Sequence, residues 1–316
     1  MKVHSDLSTF KPHNAVVTIG MFDGVHTGHR QLLSQLTKKA KELNGEAVVI
    51  TFWPHPRMVL QQDADKLRFL TSPEERTKLF SQLGIDHLLL IPFTQELADL
   101  TAEEFIKQFL VDQIGIKHLL VGFNHRFGKG RHHSFEEYQT FASKYAFSIS
   151  MVEAVLTEGL KTSSSDIRTH LLEGDVTNAN KILGYHFTIT GRVVGGQQLG
   201  RRIGYPTANI HVEEPFKLIP PDGVYACFIR VEGKDYGGML NIGYRPTISH
   251  NVDHRSLEVH IFDFNHDIYS EEIEVEFVTR VRDEQKFPDL DTLKNQLKTD
   301  EQQIRHILAH YQTDNP

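Results

Sequence analysis

The first half of the chain alternates short apolar runs with longer amphipathic stretches. AVVTIG (15–20), EAVVITF (46–52), DHLLLIPF (86–93), KHLLVGF (117–123) and FSISMVE (147–153) hold apolar residues at successive positions, not at every second one. Strands of that kind are buried on both faces, as in a parallel sheet covered by helices. The segments between them carry helix start signals. Ser72-Pro73-Glu74-Glu75 offers a cap, a first-turn proline and first-turn acids, and Gly84 stops that helix. Thr101-x-x-Glu104 and Ser134-x-x-Glu137 fit capping boxes. The alternation predicts an α/β doubly wound domain with its ligand crevice at the carboxyl ends of the strands. Helices over about 164–173 and 175–183 close this half.

The pattern changes at about Gly184. Glycine becomes dense, and HFTITGRVV, GVYACFIRV, LEVHIFDF and IEVEFVTRV alternate apolar with polar residues between turn signals. That pattern predicts an antiparallel β-barrel. Leu290, Leu293, Leu297, Ile304, Leu308 and Tyr311 then recur at helical spacing, one amphipathic C-terminal helix packing on the barrel. Two unlike domains follow, 1–184 and 185–316.

Composition changes this picture little. At 316 residues two domains are the ordinary expectation, and the hydrophobic and charged fractions suit a globular protein. A formal net charge of −7 disfavours a general nucleic-acid or anionic-membrane binder. The single cysteine, Cys227, excludes an internal disulfide framework and fits a reducing compartment. No apolar stretch has the length of a signal peptide or a membrane span, so cytoplasmic is the expected location.

The candidate chemistry begins in GMFDGVHTGHRQLL (20–33), where His26 and His29 stand three apart at a strand-to-helix turn. A helix N-terminus offers N–H groups and a positive dipole end to phosphate, and Gly28 lets the backbone approach a ligand closely. A metal pair is the competing reading, but the cysteine lies in the other domain and no His-Glu-x-x-His occurs. Two purely structural histidines are the third. In the second domain, Gly191, Gly195, Gly196, Gly200 and Gly204 match neither a P-loop nor a dinucleotide fingerprint. With Arg201 they form either a phosphate cradle or a set of barrel turns. Thr207 and Asn209, two apart in an extended segment, share a face and supply hard oxygens suited to Mg2+. Glu258 and His260 share the polar face of LEVHIFDF, which on its own reads as a wet strand face.

GMFDGVHTGHRQLL closely resembles the first motif of the nucleotidylyltransferase superfamily, in the form found in bacterial bifunctional riboflavin kinase/FMN adenylyltransferases. TFWPHP (51–56), LTSPEER (70–76), VGFNHRFGKGR (121–131) and SSSDIR (163–168) resemble further pieces of that family in order. Pro-Thr-Ala-Asn (206–209), NIGYRPT (241–247) and LEVHIFDF resemble its riboflavin-kinase half, so the likeness covers nearly the whole chain. It implies a Rossmann-like nucleotidylyltransferase domain followed by a riboflavin-kinase barrel. The barrel would phosphorylate riboflavin to FMN, and the first domain would adenylylate FMN to FAD with release of pyrophosphate. ATP is the donor in both steps and Mg2+ accompanies it.

The resemblance also implies residue roles. His26 and His29 stabilise the triphosphate during attack, and Arg168 grips the departing phosphates. Gly20, Phe22, Asp23, Gly24, Gly28, Ser163 and Ser164 bind ATP in the first domain, and Gly196, Gly200, Arg201 and Gly204 do so in the second. Phe52, His55, Pro56 and Asn124 hold flavin in the first domain, with a stiff loop as the alternative for 54–56. Arg282 and Phe287 lie near the isoalloxazine in the second. Thr207 and Asn209 carry the metal, and Glu258 is the general base. Ser165 replaces the usual threonine, His125 an aromatic, and Ser270 a glycine. HRFGKGRHH (125–133) admits three readings: an RNA contact, a solvated loop, or a loop near the nucleotide or flavin phosphates. Small-molecule substrates, no nucleic acid or membrane partner, and a monomer or weak homo-oligomer are expected. The rival readings are a single competent domain, or a flavin- or nucleotide-sensing protein without turnover.

Overall fold

A computed structural model describes residues 1–7, 9–60, 66–123, 127–131, 134–153, 156–157, 160–196, 199–244 and 255–313. It contains two compact units, Met1–Ser163 and Ser164–Pro316.

The first unit is built on a parallel sheet of six strands: β1 (Lys2–His4), β2 (Val16–Ile19), β3 (Ala47–Phe52), β4 (His87–Ile91), β5 (His118–Gly122) and β6 (Ser148–Val152). Their order is β1-β4-β3-β2-β5-β6, so the connections reverse direction between β2 and β5. In open α/β sheets the ligand crevice lies at that switch point, outside the carboxyl ends of the strands. Successive residues of each strand serve different cores. Val17, Ile19, Val48 and Ile50 meet Ala102, Phe105, Ile106 and Leu110 on one face. Val16, Val49 and Leu88 meet Leu32, Leu33, Leu36 and Phe80 on the other. The helices are α1 (Thr27–Glu42), the short α2 (Pro56–Leu60), α3 (Pro73–Gln82), α4 (Gln95–Asp99), α5 (Ala102–Phe105) and α6 (Phe135–Lys144). Capping boxes at Ser72, Thr101 and Ser134 all form. α5 runs directly into a π-helical stretch, Ile106–Ile114, which no sequence signal announced. β1 was not anticipated either. KVH is too short and polar to show a buried-strand pattern, yet it pairs in parallel with β4. Two-residue strands β7 (Leu156–Thr157) and β8 (Leu160–Lys161) pair with each other.

In the second unit, α7 (Ser164–Leu172) and α8 (Val176–Leu183) precede the barrel. α8 buries Val176, Ala179, Ile182 and Leu183. Asn180 explains its attachment: its amide donates to the Phe277 carbonyl at 2.8 Å and accepts from Phe187 N–H at 2.7 Å. Strand–helix alternation in the sequence cannot reveal which sheet a helix covers.

The barrel closes in the order β10-β13-β12-β11-β14-β9. Its strands are β9 (Phe187–Val194), β10 (Ala208–His211), β11 (Gly223–Val231), β12 (Lys234–Tyr244), β13 (Arg255–Ile261) and β14 (Glu272–Arg282), with a short helix α9 (Leu199–Ile203) after β9. β12 escaped the sequence reading because Gly237, Gly238 and Gly243 interrupt its alternation. A side chain at Gly238 would collide with Ile229. Tyr225, Cys227, Ile229 and Val231 form one fully buried set along β11. Val224 and Ala226, on the opposite face, pack with Ile304 and Leu308 of the C-terminal helix α10 (Leu290–Thr313). Glu258 and Asn241 are register partners, as are Asn241 and Val224, so all three face outward from the barrel. No helix among the described residues is long and apolar enough to cross a membrane.

Candidate functional sites

The histidine turn sits at the carboxyl end of β2, at the switch point. Phe22, Gly24 and Val25 all adopt positive φ, at 50°, 80° and 35°. For a β-branched valine this is a strained conformation that surrounding contacts must hold. Asp23 supplies the hold. It is 3 % exposed. Its carboxylate accepts from Leu70 N–H at 3.0 and 3.1 Å, from Thr71 N–H at 3.1 Å and from the Thr71 hydroxyl at 3.2 Å. Thr71 in turn accepts from Gly24 N–H at 3.1 Å. Arg76, buried on α3, donates to the Met21 carbonyl at 2.7 Å. Burial lowers the Arg76 pKa, and the Asp23 carboxylate opposes that shift. Asp23 thus ties the turn to residues 70–71. Arg76 and Thr71 were missed, since a basic residue on an amphipathic helix reads as surface charge.

His26 caps α1, and its Nδ1 accepts from His29 N–H at 3.4 Å. That bond fixes the neutral tautomer: the His26 proton resides on Nε2, which becomes a donor. Burial pushes the His26 pKa down to about 4, against the pull of Asp23, so the ring is neutral near pH 7. The His29 ring stacks on it at 3.7 Å between centroids and meets the edge of Phe22. Two imidazolium ions could not share this arrangement without an anion between them and solvent. A side chain at Gly28 would lie 3.1 Å from the Thr162 hydroxyl and 3.3 Å from the His26 ring. The segment leading into SSSDIR therefore runs beside the turn, and only a glycine leaves the gap between them open. A side chain at Gly20 would press on the Phe22 ring at 2.9 Å. Ser163 and Ser164 are half-buried at the start of α7. Arg168, also half-buried, lies further along α7, in the second unit.

A cavity of about 480 Å³ opens beside the turn, lined by Gly20, Met21, Phe52, Pro56, Phe93 and Phe105 among others. Phe52 meets Phe93 edge-on at 5.7 Å. Its size and aromatic lining suit a planar heteroaromatic ligand. Phe52 and Pro56 both line this cavity. His55 packs 5.1 Å from Phe69 instead and is not part of the lining. Asn124 and His125 lie outside the described residues, as do 132–133.

On the barrel, Glu258 is the register partner of Asn209 on β10 and of Asn241 on β12, giving a row of three polar side chains on the outer face. Asn241 was not singled out in the sequence; its signal was the Asn opening NIGYRPT. The Thr207 hydroxyl lies 3.3 Å from Glu258 Oε2. It donates its proton there and keeps its lone pairs for another partner. A side chain at Gly196 would overlap the Asn209 amide, so that glycine gives Asn209 its place. One at Gly200 would strike the Tyr205 carbonyl, and Gly204 takes φ +90°. Thr207 also lines a second cavity of about 310 Å³ with Arg201, Val259, Asp267 and Tyr269. Arg201 pairs there with Asp267 at 3.1 Å. Arg282 lies over the Phe287 ring at 5.8 Å, but Asp300 of α10 holds its Nε and Nη2 at 2.8 to 3.1 Å. Asp300 is 1 % exposed, so this pair is structural in the first place and fixes the strand end from which Phe287 extends. Residues 245–254, including the end of NIGYRPT, are not described.

A family model for FAD synthetase matches residues 9–166, and one for riboflavin kinase matches 183–308. The chain is 37 % identical over 299 residues to the bifunctional riboflavin kinase/FMN adenylyltransferase of Listeria monocytogenes, covering 94 % of this chain and 93 % of that one. It is 37 % identical over 305 residues to its Escherichia coli counterpart, covering 96 % of each. A crystal structure of a Streptococcus pneumoniae protein described as macrolide-efflux superposes with a TM-score of 0.88 at 33 % identity, covering 96 % of this chain and 98 % of that one. Both matched halves are thus transferase folds that handle phosphorylated compounds. The chain belongs to the bifunctional riboflavin kinase/FMN adenylyltransferase family.

Proposed function

We propose that this chain makes FMN from riboflavin on the barrel and FAD from FMN in the first unit, using two separate sites. The observation that carries the reading is the pairing of two distinct constellations with two family matches: the stacked histidine turn in residues 9–166 and the Glu258 row in 183–308. At the barrel, Glu258 takes the proton of the riboflavin 5′-hydroxyl as that oxygen bonds to the γ-phosphorus of ATP, and the bond to the ADP oxygen breaks. Thr207 orients Glu258 through its hydroxyl. Thr207 and Asn209 offer only two hard oxygens, which fits a Mg2+ ion that arrives with ATP and keeps phosphate and water ligands. When bound, the ion draws charge from the phosphates.

In the first unit the FMN phosphate is itself the nucleophile. Its oxygen bonds to the α-phosphorus of ATP and pyrophosphate leaves, so alignment and donors are what the protein must supply. His26 Nε2–H and the N-terminus of α1 offer donors to the arriving triphosphate. Gly20, Gly24, Gly28 and Ser163 frame that site, and Ser164 and Arg168 are assigned to the ATP phosphates on the family pattern alone, Arg168 to the departing ones. Phe52 and Pro56 hold the isoalloxazine. Arg201, with Gly196, Gly200 and Gly204, flanks the nucleotide on the barrel, and Phe287 flanks the flavin. A cytoplasmic chain, monomeric or weakly self-associating, with no nucleic-acid or membrane partner, completes the reading; the charge of −7 supports it.

Chromatography of products from riboflavin and Mg-ATP tests the proposal. Glu258→Gln should abolish FMN formation while FAD synthesis from supplied FMN continues, and His29→Ala should do the reverse. Simultaneous loss of both activities in either variant would sink the two-site model. Retention of flavin with no product from the unaltered chain would favour a sensor.

A further inference from the structure

The first unit must take FMN and leave riboflavin, though the two share one ring system. The cavity assigned to that ring is apolar. Among the described residues that line it, Lys129 alone carries a charge. Its backbone is fixed. Lys129 N–H donates to the Leu100 carbonyl at 2.8 Å, and the Tyr138 hydroxyl clasps both the N–H and the carbonyl of Phe127, at 3.0 and 3.1 Å. Gly128, at φ +83°, rests so close to the backbone of Ala102 that a side chain would overlap it. The Lys129 side chain is not fixed to the same degree. It is 64 % exposed and reaches Asp99 at 3.1 Å, whose carboxylate also accepts from Gln95 at 3.4 Å. The lysine holds the Asp99 carboxyl below its ordinary range. Gly20 and Met21, the root of the histidine turn, line the same cavity, so a ligand there lies between the turn and Lys129.

We propose that Lys129 is a specificity-determining residue that reads the phosphate of FMN, its ammonium leaving Asp99 for the phosphate dianion. This rests on placing the flavin ring in the 480 Å³ cavity. The physical basis is a comparison of partners. An exposed lysine–carboxylate pair is worth little, about 0–1 kcal/mol. A phosphate dianion brings more charge and stronger charge-assisted hydrogen bonds, so it displaces Asp99. The neutral ribityl hydroxyl of riboflavin cannot, and the ion pair stays closed against it. Lysine suits the task because a compact, mobile ammonium can move from one anion to the other.

The test uses the full-length protein making FAD from FMN and ATP, with lumiflavin, which has the ring but no ribityl phosphate, as competitor. Lys129→Met should raise KM for FMN roughly tenfold, about 1.4 kcal/mol, while the inhibition constant of lumiflavin stays within about twofold. Lys129→Arg, which keeps the charge, should recover most of the affinity, and Asp99→Asn should lower KM for FMN. A KM for FMN unchanged in Lys129→Met overturns the proposal. So does an equal rise in KM and in the lumiflavin constant, the mark of a loop that merely shapes the ring pocket. If lumiflavin does not inhibit the unaltered chain and Phe52→Ala leaves KM for FMN unchanged, the flavin placement itself fails and the Lys129 proposal falls with it.

Discussion

Asp23 offers the sharpest test of how the first site is built. Replacing it by alanine removes a buried carboxylate that accepts two backbone N–H groups and one hydroxyl. Each bond to a charged acceptor is worth about 1.5–3 kcal/mol, but such values do not add within one network. Arg76 would also lose a neighbouring countercharge in a buried setting, and breaking a buried pair costs about 3–5 kcal/mol. About 4 kcal/mol is the reasonable sum. For a unit of 163 residues, roughly 2–4 °C per kcal/mol puts the expected fall in Tm at roughly 8–16 °C. Asp23→Asn preserves size but turns one acceptor into a donor facing an N–H, and should lose about half as much. Scanning calorimetry of the full chain reads this directly, with riboflavin phosphorylation by the barrel as an internal control that should persist below the transition. FAD synthesis should fall because Val25 and Phe22 lose the clamp on their strained backbone. If Asp23→Ala keeps its Tm within about 2 °C and still loses FAD synthesis, the anchor reading is refuted and Asp23 contacts the nucleotide.

Two further outcomes follow from other parts of the molecule. Gly196→Ala drives a methyl group into the Asn209 amide and should cut FMN formation on the order of a hundredfold, since small misplacements at a reacting centre have that effect; product chromatography should find FAD synthesis from FMN unaltered. Stability should also fall on mild acidification. His26 and His118 are both pushed down to about 4 by burial, whereas in the unfolded chain each titrates near 6.5. Between these values the unfolded chain binds more protons, so stability is full above about 6.5, declines as pH falls to about 4, and levels off below. The full loss is on the order of 3 kcal/mol for each group, and urea titrations at pH 7.5 and 5 should read about 2 kcal/mol of it. His118→Gln, which still meets Ser148 and Ser150, should shrink that pH dependence.

Much of the molecule could be read from one sequence. Successive apolar residues in AVVTIG and EAVVITF announced strands covered on both faces, because burial on both faces admits no polar alternation. The Ser72 cap and the capping boxes at Thr101 and Ser134 were legible because their hydrogen bonds join residues three apart. Motif spacing located the histidine turn, Pro-Thr-Ala-Asn and Glu258 for the same reason, since their relations are local or strand-periodic. β1 and β12 were not legible: one is too short to show a period, and glycines break the other's.

Long-range relations were settled only by folding. That α8 belongs with the barrel depends on Asn180 meeting Phe277 nearly a hundred residues away. In one dimension nothing names a partner for Asp23 or Arg282. In three, Asp23 meets residues 70–71 and Arg282 meets Asp300, and buried charges must find such partners wherever the chain brings them. The sequence by itself determined the two domains, their order and most residues that could do chemistry. The tertiary structure decided what each of those side chains meets within the fold. Periodicity reports only the face on which a residue lies; what stands opposite that face is a matter of packing.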